Sequence, residues 1–228
     1  MLSFARQTMP ENPPDALLLL TPQCPHCPSL LAALTELLKR GALGRLEAVN
    51  LQARPEVAAR WGARSVPWLR LGPFQLGGAL TPGELETWVR RATDPEGENL
   101  AEAFHDLLKN GAAGQVLELV LEKPARLDAL LPIVANPEAS LNVRLGAGMV
   151  FEEVAGQGGL SPLLPELVRL AGHEDARVRA DVAHLLGMCP AAEARRPLHG
   201  LAGDPDPDVR EIAIESLTAL GDPDQGAK

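Results

Sequence analysis

Two cysteines stand one helical turn apart in Cys24-Pro25-His26-Cys27, directly after Thr21-Pro22-Gln23 and before Pro28. That spacing serves dithiol–disulfide exchange or supplies half of a metal site. Exchange requires one sulfur held as the thiolate near neutral pH and a second that stays protonated until its turn. Cys24 is the expected nucleophile, because a helix opening at this motif sets it beside unpaired backbone N–H groups and the positive end of the helix dipole. Cys27, one turn further in, is placed to resolve the mixed disulfide. Pro25 stiffens the turn, and His26 adds a dipolar or cationic group that favours the thiolate. A closed zinc site would need two more Cys or His ligands nearby. His26 is the only histidine within residues 1–93, and the third cysteine, Cys189, lies far along the chain. An inert pair of core cysteines is opposed by the loop position, which predicts exposure.

The elements that must hold this motif follow from hydrophobic patterning. Ala16-Leu-Leu-Leu-Leu20 reads as a short strand covered on both faces. Ser29–Arg40 has helical periodicity through Leu30, Leu34 and Leu37, with Gly41 as its stop. A strand over 46–51, a short helix over 55–61, strands over 68–71 and 74–76, and a helix over 82–91 capped by Thr81 complete a β-α-β-α-β-β-α order. This predicts an open α/β sheet with a mixed-direction edge. Gly77-Gly78 reads as room for tight packing between the last strand and the last helix.

Composition narrows the function classes. The 228 residues are 46% apolar but only 3% aromatic, with no tyrosine, so the core is built from Leu, Ala and Val. No apolar run reaches the roughly 18 residues that span a bilayer, so no membrane partner is expected. The opening stretch MLSFARQTMPENPP does not read as a secretory signal, for want of an apolar core, and a cytoplasmic location is expected. Residues 1–93 carry 10 Lys and Arg against 7 Asp and Glu; residues 94–228 carry 11 against 23. That asymmetry marks a boundary near the polar stretch Thr93–Asn99, with domains 1–93 and 98–228. It also excludes nucleic acid as a partner of the acidic part, since phosphates would be repelled.

Several separated segments together resemble the thioredoxin family. LLLLTPQCPHCPSLLAAL resembles its redox strand-loop-helix, VNLQARPEVAARWGARSVPWL the segment ending in its cis-proline loop, and GGALTPGELETWV its final strand and helix. The resemblance covers about residues 15–92 and implies a truncated thioredoxin-like fold of about four strands and three helices. It implies that Pro67 is a cis-proline facing the cysteine pair and that Val66 offers backbone groups to an extended substrate. It needs no cofactor beyond the redox-active Cys24–Cys27 pair. The sequence departs from the family at several places. Leu18 stands where a buried acid lies six residues before the first cysteine, Ala48 replaces a coupled lysine, and Pro28 follows the second cysteine. The first strand and helix of the family are missing. The CPHC motif equals that of the bacterial periplasmic disulfide oxidase, so a potential between about −270 and −120 mV is expected.

Beyond Asn99 strand signals vanish and helical patterns recur in pairs: 99–110 with 113–122, 126–135 with 140–155, 163–172 with 176–188, and 194–202 with 207–220. Asn142-Val143-Arg144, Arg177-Val178-Arg179 and Asp208-Val209-Arg210 recur near the starts of the second helices of the last three pairs. Such a period of helix pairs is the signature of an α-solenoid. Residues 98–225 resemble HEAT-like repeats, which implies a curved platform for protein binding. Arg144, Arg179 and Arg210 are expected to pair with turn carboxylates such as Asp175 and Asp208. Asp204, Asp206, Asp208, Glu211 and Glu215 read as a solvated acidic face. Cys189, beside Pro190 at a helix end, reads as a small apolar filler.

The expected activity is thiol–disulfide exchange on protein substrates, with the repeats choosing the substrate or a partner and a reductase or small thiol as electron donor. The alternative is a protein-binding adaptor whose N-terminal part is structural or redox-sensing.

Overall fold

In this computed structural model the described residues are 12–189 and 192–221. The readings of residues 1–11 as lacking a leader, and of Pro190 as a helix end, fall outside them. The chain divides into two compact units, Met1–Asn99 and Leu100–Lys228.

In the first unit, Ala16–Leu20 forms β1 and lies inside the sheet rather than at its edge. It pairs in parallel with β2 (Leu46–Asn50) and antiparallel with β3 (Trp68–Leu71), which pairs with β4 (Phe74–Gly77) to give the order β2-β1-β3-β4. One sheet face carries Leu18, Leu69, Leu71 and Phe74, all essentially without solvent contact. Each such side chain contributes about 2 kcal/mol on leaving water. Helix α1 (Cys27–Lys39) buries Leu30, Leu34 and Leu37, and α3 (Pro82–Thr93) lays Trp88 against Phe74 at 5.2 Å between ring centroids. Thr81 and Glu84 close a reciprocal capping box at the start of α3. On the opposite face, among the described residues, lies only α2 (Glu56–Trp61), six residues long with none buried.

Two sequence expectations are corrected here. The helix after the motif starts at Cys27 rather than Ser29, because Pro28 fits a first turn where its missing N–H has no helical partner to lose. Gly77 and Gly78 do not mark tight packing, since a Cβ at either would meet nothing within 4 Å. Gly78 is instead required by its φ of +90°, and its N–H donates to the Pro67 carbonyl at 2.9 Å.

In the second unit α4 (Leu100–Lys109) and α5 (Ala113–Glu122) form the first pair. The expected helix over 126–135 is a 3-10 segment, Pro124–Leu130, followed by the single turn α6 (Leu131–Val134); it precedes α7 (Leu141–Ala155). The helix over 163–172 likewise becomes a 3-10 turn, Ser161–Leu163, and α8 (Leu164–Leu170), paired with α9 (Ala176–Gly187). Pro132, Pro162 and Pro165 explain the fragmentation, since each removes a helical N–H and crowds the preceding turn. The last pair is α10 (Ala192–Leu201) and α11 (Pro207–Ala219).

The recurring arginines do not pair with Asp175 or Asp208, although Arg179 does reach a turn carboxylate of the next helix pair. Arg144 forms a forked pair with Asp181 at 2.9 and 2.6 Å, and Arg179 with Asp204 at 2.7 and 2.8 Å. Arg179 also donates to the His173 and Glu174 carbonyls, and Arg210 to those of Asp204 and Pro205. Each of these two arginines therefore ties down the turn five and six residues before it. Asp175 and Asp206 are helix N-caps instead, accepting from the Arg177 N–H and from the Asp208 and Val209 N–H groups. Asp204 is thus no solvated charge: its side chain is 6% exposed, and it joins the third pair to the fourth.

Two outcomes are expected. Arg179→Ala strands the Asp204 carboxylate and costs about 3 kcal/mol at neutral pH, read by denaturant unfolding. The hydrogen bonds from Arg179 hold Asp204 below its ordinary pKa. This stabilisation is therefore complete above the unfolded value of about 3.9 and is lost as pH falls through the lower folded value. Gly187→Ala drives a Cβ to 2.6 Å from the Ser216 Cβ on α11, and a melting curve should show a loss of about 1–3 kcal/mol.

Candidate dithiol site

The end of β1 delivers the chain to the cysteines through Thr21, whose carbonyl accepts from the Cys24 N–H at 3.3 Å. The turn closes when the Cys27 N–H reaches the Cys24 carbonyl at 3.4 Å, and the helix begins there with His26 as its N-cap. His26 supplies no side-chain cap; its carbonyl accepts from the Leu30 N–H and the Ser29 hydroxyl. Pro25 and His26 are exposed, whereas Cys24 is 8% and Cys27 3% exposed. The loop position predicted exposed cysteines, and the structure corrects this. The tight turn folds both sulfurs inward and leaves Cys24 the wider of two narrow openings. Both are free thiols.

The two sulfurs differ in proton affinity. Desolvation pushes the Cys24 thiol up, but hydrogen bonds from the Cys27 thiol and the His26 and Cys27 backbone together outweigh it, leaving Cys24 below its ordinary value. Cys27 is pushed up to about 11, first by desolvation and then by donating its proton to Cys24; a hydrogen bond from the Thr21 backbone offsets part of this. The arrangement holds one proton between two sulfurs, on Cys27. This is the division of labour that exchange chemistry requires.

The sheet register carries Val66 and Pro67 to the same end. Leu19 lies opposite Trp68, so the residues before Trp68 continue alongside the end of β1 from which the cysteine turn departs. The Val66–Pro67 peptide bond is cis. Pro67 has no N–H and its carbonyl is taken by Gly78, while among the described residues the Val66 N–H and carbonyl have no partner. Val66 is half-buried, so these groups are open to solvent or to a bound chain.

Among the described residues no three His, Cys, Asp or Glu side chains come together to hold a metal ion. Cys189 is fully buried, with its thiol pushed up to about 11 by desolvation, and is remote in sequence from the pair.

In the second unit the repeated arginine pairs and the α10–α11 hairpin already describe a stacked array of helix pairs. Residues 160–228 match HEAT repeats. The matched span takes in α8 to α11, the forked Arg179–Asp204 pair and the bonds from Arg210 to the Asp204 and Pro205 carbonyls. Among curated proteins the chain finds no match. Within the described residues, no helix is long and apolar enough to cross a membrane.

One group of side chains was not legible in the spacing. Arg70 lies at 4.7 Å and Arg60 at 5.8 Å from the Trp61 ring, which also tilts against Trp68 at 6.0 Å. Arg60 and Arg70 come from different elements and meet only because β3 returns antiparallel beside β1.

A pH titration of the reduced protein by ultraviolet thiolate absorbance should show a first step below the free-thiol value of about 8.5, and that step should vanish in Cys24→Ser. A first step at or above that value would contradict the assignment.

Proposed function

We propose that the first unit is a thioredoxin-like thiol–disulfide oxidoreductase and that the HEAT-like repeats hold its protein substrate or a partner. The observation that carries this reading is the unequal pair of thiols at the mouth of α1. Cys24 is stabilised as the thiolate by hydrogen bonds, and Cys27 holds its proton to about 11.

The Cys24 thiolate attacks one sulfur of a substrate disulfide, forming a mixed disulfide and expelling the other sulfur as a thiolate. Cys27 then gives up its proton to that thiolate or to water and attacks the Cys24 sulfur. The second substrate thiolate leaves, and the dithiol has transferred two electrons to the substrate. A small thiol or a protein reductase restores the dithiol by the reverse exchange. The open backbone groups of Val66 supply short strand-like pairing for the substrate chain across from Cys24.

Leu18 is fully buried and in register with Ala48, so no acid or lysine lies beneath the sulfurs at these two positions. The Cys27 proton must therefore leave through the solvent-facing side of the turn, where His26 is exposed.

A second reading is favoured by the repeat match: an adaptor in which the repeats bind a partner and the first unit senses redox state. Supporting it, Leu141, Leu145 and Met149 lie at four-residue intervals on α7 and are 66%, 63% and 39% exposed. Such a stripe suits a partner surface.

Insulin reduction in the presence of a small thiol separates the two. Turnover that disappears in Cys24→Ser is expected, with the rate rising with pH as Cys24 ionises. Cys27→Ser should stop turnover while accumulating a mixed disulfide that gel electrophoresis detects without reductant. A wild-type protein with no turnover leaves the adaptor reading.

A further inference from the structure

On the sheet face away from α1 and α3, a groove of about 480 Å³ runs between β2 and α2. Leu17, Val49, Val57 and Trp61 supply its apolar lining, Arg45, Arg54 and Arg60 its positive charge and Glu47 a negative one. Arg45 is shared with Asp15 and Glu47, and Arg54 with Glu56. Arg60 and Arg70, stacked on Trp61, have no carboxylate partner among the described residues. The lining is thus net basic: Arg60 belongs to it, and Arg70 stacks on the ring of its Trp61 from beside the groove.

The strand beside the groove has an open edge. The Ala16 N–H donates to the Arg45 carbonyl, and the Leu51 N–H to the Leu20 carbonyl. In a parallel ladder this assigns Arg45, Glu47, Val49 and Leu51 to the β1 side and turns the backbone of Leu46, Ala48 and Asn50 outward. No further strand covers that side among the described residues. The Asn50 carbonyl is taken by Ala53 and Arg54, but the N–H and carbonyl of Leu46 and Ala48 have no partner among the described residues.

We infer that this groove binds an acidic, extended polypeptide segment, which adds to the β2 edge and sets its carboxylates against Arg60 and Arg70. The edge supplies main-chain affinity and the arginines choose the sequence. Charge decides against the chain's own N-terminal stretch as occupant: residues 1–11 hold one arginine, Arg6, and one acid, Glu11, and carry no negative surplus. This inference stands apart from the exchange reading and needs neither cysteine.

The test is fluorescence anisotropy of a labelled eight-residue peptide alternating Val and Glu, against the full chain, with a Val and Lys peptide of equal length as control. The acidic peptide should bind, with affinity that falls as salt rises, and the basic one should not. Arg60→Glu with Arg70→Glu should weaken binding by about tenfold or more. Ala48→Pro should weaken it as well, because it removes an outward N–H while sparing the β1 ladder; Arg60→Gln with Arg70→Gln covers the case in which either variant fails to fold. Equal binding of both peptides, no binding of either, or binding unchanged in the charge variants overturns the proposal. So does acidic-peptide binding that appears only after residues 1–11 are deleted, which would make that stretch the occupant. A wild-type dimer dissolved by Ala48→Pro would assign the edge to a second copy and overturn it equally.

Discussion

Two sulfurs one turn apart cannot be alike in proton affinity when a single hydrogen bond runs between them. The Cys27 thiol donates to Cys24, and the His26 and Cys27 backbone groups point at the same acceptor. The backbone donors are those of the N-cap residue and the first residue of α1, which starts at Cys27 and so turns them toward Cys24. The strand β1 anchors the turn, and burial of Leu18 and Leu19 fixes where β1 ends. The chemistry of the pair is therefore a property of a strand end and a helix start, with the cysteines placed at the joint.

The same physics, a charge satisfied by oriented partners, organises the second unit for a different purpose. Arg179 sits almost out of water, and its guanidinium makes four hydrogen bonds, two to one carboxylate and two to carbonyls. An arginine buried without those partners would cost several kcal/mol, so the turns it grips are held where it needs them. Proline-broken first helices such as α6 and α8 contribute little regular hydrogen bonding of their own. Arginines on the second helices bind the turns that lead into them and, through Asp181 and Asp204, the neighbouring pair.

The first unit treats its two sheet faces unequally. Two helices bury the centre of one face, whereas among the described residues α2 covers the other only in part and the outer edge of β2 stays open. Charged side chains on an edge strand ordinarily guard against unwanted pairing, and Glu47 and Arg45 suit that role. The guanidinium pair around Trp61 goes beyond it, because neither arginine is neutralised within the described part of its own unit.

Much of this was readable from residue order. Period-two and period-3.6 patterning, Thr81 as a cap and Gly41 as a stop fix local conformation through neighbours only a few residues away, so β1 to β4 and α1 to α3 follow from the sequence with shifts of one or two residues. Cys24 and Cys27 share a turn, and their unequal proton affinities follow from that turn. Folding alone decided what depends on partners distant in the chain. Spacing suggested Asp175 and Asp208 for the arginines, but the bonds go to Asp181 and Asp204, because helix packing brings those carboxylates within reach. The glycines at 77 and 78 suggested close packing, yet what matters is a positive φ that lets one N–H reach Pro67. The cysteines' burial and the meeting of Arg60, Trp61 and Arg70 likewise arise from antiparallel return of β3 and inward folding of a tight turn. Local sequence sets backbone geometry because its energetics are short-ranged; contact between remote side chains is set by how whole elements pack.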